Sequence, residues 1–200
     1  MPRLKSSNFA VTELAADIDS SATSFTVTDA SAFPDDVWST GATAPASVNR
    51  NTSQLYNGKI YCPQSGGKAM HIYDIETDTW STGATAPASA IRYISQLYNG
   101  KIYCPQYGGT AMHIYDIETD TWSTGAIAPA SVSRWTSQLY NGKIYCPAHG
   151  GTEMHIYDIT SNTWTIGAPA PAIVDRYTSQ LYKRRIYSIG YMGSPIHVYG

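Results

Sequence analysis

The stretch Arg92-Tyr-Ile-Ser-Gln-Leu-Tyr-Asn-Gly-Lys-Ile-Tyr-Cys-Pro-Gln-Tyr-Gly-Gly-Thr-Ala-Met-His-Ile-Tyr-Asp-Ile-Glu-Thr-Asp-Thr-Trp-Ser-Thr-Gly-Ala-Ile-Ala-Pro129 reads as four short strands, a to d. Asn99-Gly100 between Tyr98 and Lys101-Ile102-Tyr103 is a two-residue hairpin signal, because both turn residues must accept positive φ. Strands a and b are therefore a hairpin. Gly108-Gly109 breaks the chain, Met112 to Ile117 is rich in β-formers, and Glu118-Thr119-Asp120 makes a polar turn before Trp122 opens the last strand. Pro129 closes the unit as a linker residue.

Outward from this stretch the same text returns, and Trp38, Trp80, Trp122 and Trp164 recur every 42 residues. Such a period marks a propeller or solenoid array, whose units are too short to bury a hydrophobic face alone and must stack on one another. The glycine pairs (Gly66-Gly67, Gly108-Gly109, Gly150-Gly151), a Tyr six residues on (Tyr73, Tyr115, Tyr157) and a Trp seven beyond that (Trp80, Trp122, Trp164) resemble the kelch motif over residues 37 to 200. The resemblance implies four-stranded blades of a β-propeller. The last unit departs from it, with Met192-Gly193 for the glycine pair and no Trp after Tyr199-Gly200.

The two ends complement each other. One leading d strand at Trp38, three whole units and a trailing a, b, c triplet make sixteen strands, or four blades of four. Pairing Val37 to Ala44 with the Ile196 to Tyr199 strand would cover both exposed edges, closing one ring within the chain. The alternative is exchange of that strand between two chains, as an eight-bladed dimeric ring or a swapped pair. The expected fold is thus all-β: a four-bladed kelch-like β-propeller over 35–200 closed by the N-terminal strand, with a short β docking module over 1–34.

In that leading module, Phe25 and Val27 alternate with Ser24, Thr26 and Thr28 as in a half-buried strand. About thirty residues cannot bury a core unaided, so the module docks on something. Its Ser21-Ala22-Thr23-Ser24 and Asp29-Ala30-Ser31-Ala32-Phe33-Pro34 text resembles segments of bacteriophage tail and fibre-like proteins. The resemblance implies a virion location, with the module contacting other tail, baseplate or capsid proteins and the propeller displayed outward.

Charged residues make up 14% of the chain while Tyr alone supplies 16 residues, so the surface is expected to be rich in hydroxyls and aromatics. A net charge of −2 without a basic run gives no footprint for nucleic acid or an acidic membrane surface. No apolar stretch follows Arg3 and Lys5 as a signal-peptide core, and no run is long enough to span a bilayer, so membrane insertion is not expected.

Cys62, Cys104 and Cys146 share one register in strand b, where the fourth unit has Ser188, and read as small core residues. His71, His113, His155 and His197 recur on strand c, Arg50, Arg92, Arg134 and Arg176 open strand a, and Asp74, Asp116 and Asp158 precede a turn. Features present in every unit read as scaffold: Asp can bond its own turn backbone and Arg can bridge neighbouring blades. No triad, phosphate loop or carboxylate pair stands apart from the repeat, so no catalytic residue, metal or cofactor is expected.

What stands apart is where the units disagree. The Tyr-Asn-Gly-Lys turn is identical in the first three units, whereas Asn51, Tyr93, Trp135 and Tyr177 differ after the Arg, and Asn49, Ile91, Ser133 and Asp175 before it. A second divergent set surrounds the glycines: Ser65, Tyr107, His149 and Tyr191, then Lys68, Thr110, Thr152 and Ser194, with Glu153 replacing an Ala. The d-to-a links and b-to-c loops of a blade emerge on one face, so one face is uniform and the other diverse. Tyr93, Tyr107, Trp135, His149, Glu153, Asp175, Tyr177 and Tyr191 are the expected ligand-binding residues. They are rigid aromatic and adaptable polar types suited to recognition, and aromatic rings beside polar groups suit sugars. The expected protein is a tail- or fibre-associated adhesin that binds a host surface glycan or protein as a homo-oligomer. The competing readings are a structural virion protein without ligand and a kelch-fold glycan-active enzyme.

Overall fold

The computed structural model of the chain describes residues 40–45, 49–131, 134–173, 176–190 and 195–200, with backbone alone at 176, 177 and 190. The chain divides into two units, residues 1–41 and 42–200. The docking module expected over 1–34 lies outside the described residues.

The second unit is all-β, and its four antiparallel sheets make a four-bladed β-propeller. The first blade is β1 (Gln54–Tyr56), β2 (Lys59–Pro63), β3 (Met70–Asp74) and β4 (Thr79–Gly83), hydrogen-bonded in chain order. The second is β5 (Gln96–Tyr98), β6 (Lys101–Pro105), β7 (Met112–Asp116) and β8 (Thr121–Thr124); the third is β9 (Gln138–Tyr140), β10 (Lys143–Pro147), β11 (Met154–Asp158) and β12 (Thr163–Gly167). The fourth holds three strands, β13 (Arg176–Tyr182), β14 (Arg185–Gly190) and β15 (His197–Tyr199). Fifteen strands therefore stand among the described residues. The strand expected over Val37 to Ala44 falls partly outside them, and its described part, residues 40–44, is irregular.

The hairpin turns carry the backbone their sequence demands. Asn99 and Gly100 have φ of 47° and 70°, and the same pair recurs at Asn57-Gly58 and Asn141-Gly142. This is the mirror-image turn whose twist matches the flanking strands. In the glycine pair, Gly108 has φ of 62°, while a Cβ on Gly109 would collide with the Gln106 carboxamide. The first glycine supplies left-handed backbone and the second gives room for close approach.

The core lies between blades. One cluster gathers Tyr61 and Met70 of the first blade with Ile102, Cys104 and Tyr115 of the second; another joins Ile94, Tyr103 and Met112 to Ile144, Cys146 and Tyr157. The repeated Tyr and Trp lock successive blades together. The Asp120 carboxylate accepts hydrogen bonds from Tyr115 Oη at 2.6 Å and from the Ala84 amide at 2.7 Å, while Trp122 Nε1 donates to the Ala84 carbonyl at 2.8 Å. The third blade clasps Ala126 identically through Tyr157, Asn162 and Trp164. The first blade does the same to Ala42 through Tyr73, Asp78 and Trp80.

Candidate recognition site

The two ends of each blade are tied separately. At one end, the c-to-d turn bonds to the hairpin turn, from Ile75 N to Gly58 O, Ile117 N to Gly100 O and Ile159 N to Gly142 O. At the other, the b-to-c loop bonds to the d-to-a links, as from Tyr107 N to Ile91 O at 3.0 Å and from Ala128 N to Thr110 O at 2.8 Å. The uniform turns and the divergent segments therefore occupy opposite ends of the blades.

At the divergent end four aromatic side chains meet. Tyr93 and Trp135 stack with centroids 4.3 Å apart and planes within 7°. Tyr107 sets its edge against both, at 4.7 Å and 4.9 Å, and His149 lies edge-on to Trp135 at 5.9 Å. All four are half-buried. Mutual packing of this kind holds each ring in one orientation and leaves the outer surface of the cluster as a rigid, mixed aromatic patch.

Beside Tyr107 lies an open hollow of about 380 Å³, walled by Gly66, Ser89, Ala90, Ile91, Gln106 and Gly108. Its wall combines one aromatic ring, a carboxamide, a hydroxyl and glycine backbone. That set offers a face for apolar C–H groups and donors and acceptors for hydroxyls. Sequence reasoning singled out Tyr107 and Ile91 but passed over Ser89 and Gln106, because Ser and Gln at these positions are shared with neighbouring units (Ser131; Gln64) and divergence was the signal in use.

Of the remaining expected residues, Glu153 has a described side chain, and it lies elsewhere. Glu153 is exposed and lines a different groove of about 300 Å³, with Ala168–Pro171 and with His197–Gly200 at the outer edge of the fourth blade. Tyr177 belongs to β13 by its backbone, and Asp175 and Tyr191 lie outside the described residues.

The repeated residues whose contacts follow are bound up in the scaffold of the first three blades. Arg92 is 1% exposed and donates to the carbonyls of Gln64 at 3.0 Å, Gly67 at 2.8 Å and Ala88 at 3.0 Å, so it bridges the first blade's loop to the second blade. Its guanidinium also meets His113 Nδ1 at 2.7 Å and sits 5.3 Å from the Trp122 ring centroid. Arg134 repeats the pattern with His155 and Trp164. Because the guanidinium has only protons to give, Nδ1 of each histidine accepts and the ring is neutral with its proton on Nε2. Burial first and the adjacent Arg second pull His113 down to about 4. His71 and His155 shift the same way for the same reasons.

The three cysteines are buried and free. Burial pushes Cys104 and Cys146 up to about 12, far from the thiolate range. Asp74 accepts from the amides of Glu76 and Thr77 at 3.1 Å and pairs with Lys59, which holds its carboxylate down at about 2. Asp116 and Asp158 repeat this arrangement with Lys101 and Lys143. Among the described residues no group of three His, Cys, Asp or Glu side chains is placed to hold a metal ion.

No protein-family model and no curated protein matches the chain. Solved structures do. The crystal structure of the computationally designed Ika4 protein is similar over 80% of this chain and 94% of its own, with a TM-score of 0.58 at 11% identity. That of the computationally designed Ika8 protein is similar over 74% of this chain and 44% of its own, with a TM-score of 0.53 at 12% identity. At such identities the likeness is one of fold.

Proposed function

We propose that this chain is a non-enzymatic recognition module, a kelch-like propeller carried on a bacteriophage tail or fibre, that binds a glycan of a host surface. The observation that carries the reading is the cluster of Tyr93, Tyr107, Trp135 and His149 at the divergent end, adjoining the hollow at Tyr107. A scaffold needs the same residues in each blade, yet the first blade has Asn51 and Ser65 where the second has Tyr93 and Tyr107. Ring faces bind the C–H surface of a pyranose, and Gln106 and Ser89 are suited to its hydroxyls. The virion location rests on the sequence of residues 1–34, and several copies on one particle would raise avidity without new contacts. The non-enzymatic reading is supported by chemistry: His71, His113 and His155 are each bonded to an Arg and shifted towards the neutral form, and the thiols of Cys104 and Cys146 are held protonated.

The test is glycan-array binding of the full chain, followed by Trp135→Ala, Tyr107→Ala and Asn141→Ala variants, each checked for folding. Removing a central aromatic is expected to weaken binding by about 2 kcal/mol, roughly thirtyfold, while the turn variant binds as before. Loss of binding in the turn variant with normal binding in both aromatic variants places recognition on the opposite end. Silence on the array together with normal host adsorption of the aromatic variants leaves a structural component.

A further inference from the structure

Among the described residues three seams join the four blades, and all three share a Gln-to-Ser contact, with a Thr beside it in the first and third and Ile94 in its place in the second. Across the first, Gln54 Nε2 donates to Ser95 O at 2.9 Å and Thr52 Oγ1 meets Ser95 Oγ at 2.7 Å. Gln96 does the same to Ser137 O at 3.0 Å, and Gln138 to Ser179 O at 2.8 Å with Thr136 on Ser179 Oγ at 2.7 Å. Tyr61 with Tyr115, Tyr103 with Tyr157, and Tyr145 with Tyr199 each place ring centroids 6.1 Å apart. The hydroxyls of Tyr56 and Tyr98 reach over the turn glycines Gly100 and Gly142 of the following blade.

Among the described residues, both halves of a fourth such seam are present and uncovered. On the first blade, Ser53 is exposed although Ser95, Ser137 and Ser179 are buried. Leu55 is 61% exposed whereas Leu97 and Leu139 are half-buried, and the site of a Cβ on Gly58 has no atom within 4 Å. On the fourth blade, Thr178 and Gln180 are exposed, and Tyr182 is 60% exposed where Tyr56, Tyr98 and Tyr140 are half-buried. The residue types are those of the built seams: Thr178 and Gln180 for Ser53, and Tyr182 for Gly58.

We infer that these two faces bind each other between two copies of the chain, joined head to tail. The faces are different surfaces, so the contact is heterologous, and two copies satisfy both faces of each by one twofold axis, giving a ring of eight sheets. A buried Gln–Ser seam and an apolar Leu55 and Tyr182 are then covered as their counterparts are. The contact continues an interface the chain already makes three times, and it is independent of what the aromatic cluster binds.

Light scattering of the full chain is expected to give twice the chain mass, with Ser53→Arg or Tyr182→Arg converting it to single chains that melt as cooperatively as before. The geometry is read by a Ser53→Cys, Thr178→Cys double variant, with Thr52→Cys, Ser95→Cys as the control, since Thr52 and Ser95 already touch within one chain. Oxidation is expected to give a covalent dimer in the first and an internally bridged single chain in the control. A single-chain mass for the unmodified protein at all concentrations to roughly 100 μM overturns the inference. So does an internal bridge in the Ser53→Cys, Thr178→Cys variant, which would mean that one chain closes its own four-bladed ring.

Discussion

Arg92 and His113 show how one side chain sets the chemistry of the next. The arginine is buried without a carboxylate partner, so carbonyl oxygens, an indole face and one imidazole nitrogen hold its charge. Burial first and this arginine second bring the histidine's ordinary value of 6.5 down to about 4. Between these two values the unfolded chain takes up a proton that the folded chain refuses. Stability is therefore full above about pH 6.5 and is lost as pH falls towards 4, on the order of 3 kcal/mol at most for this one group. Thermal melts across that range are expected to fall, and to fall less steeply in His113→Gln, although that variant is weaker at neutral pH. The cysteines give a second check at this scale. With Cys104 and Cys146 pushed up to about 12 inside the core, a thiol probe is expected to label them slowly in the native protein and rapidly after denaturation. Fast labelling of the folded chain would place a thiol in an open, reactive site.

The hairpin turn is the element in which the fourth blade breaks its own rule. Where the other blades have Asn-Gly, it has Lys183 and Arg184, with φ of 46° and 66°. Two long side chains are thus held in left-handed backbone, which costs about 1–2 kcal/mol for such a residue compared with glycine. Replacing the pair by the chain's own Asn-Gly, as Lys183→Asn with Arg184→Gly, is expected to stabilise the protein by about 1 kcal/mol once the added freedom of the unfolded glycine is set against the relieved strain. A raised denaturation midpoint with an unchanged denaturant slope checks it.

Stability of the whole molecule is a sum over seams, because each blade touches its neighbours alone. Gln96 and Gln138 each donate twice across a seam, to the carbonyl and hydroxyl of Ser137 and Ser179. Each Gln→Ala change is expected to cost about 1–2 kcal/mol, leaving a buried serine carbonyl short of a donor. The two seams share no partner, so the double variant is expected to cost the sum within about 0.5 kcal/mol. Urea unfolding of both single variants and the double variant measures it. A strongly non-additive result would show that the blades are coupled beyond nearest neighbours.

The repeat in the sequence was sufficient for the blade: the Asn-Gly turns, the glycine pair and the alternation of each strand are local demands, legible wherever the backbone must turn or alternate. The roles of repeated Arg, Asp and Cys as scaffold were also legible, since a residue required in every blade answers a requirement of every blade. The meeting of Tyr93 with Trp135 and of Tyr107 with both was foreshadowed by divergence among units, yet their stacking at 4.3 Å depends on the angle between blades. Glu153 diverges as they do and lies in a different groove, because divergence marks a position and carries no direction. Ser89 and Gln106 escaped notice for the converse reason, being repeated residues that a neighbouring loop turns into walls of a hollow. Whether Ser53, Leu55 and Tyr182 are buried is likewise decided only by tertiary structure, for their sequence is that of every other seam and what differs is the presence of a neighbour.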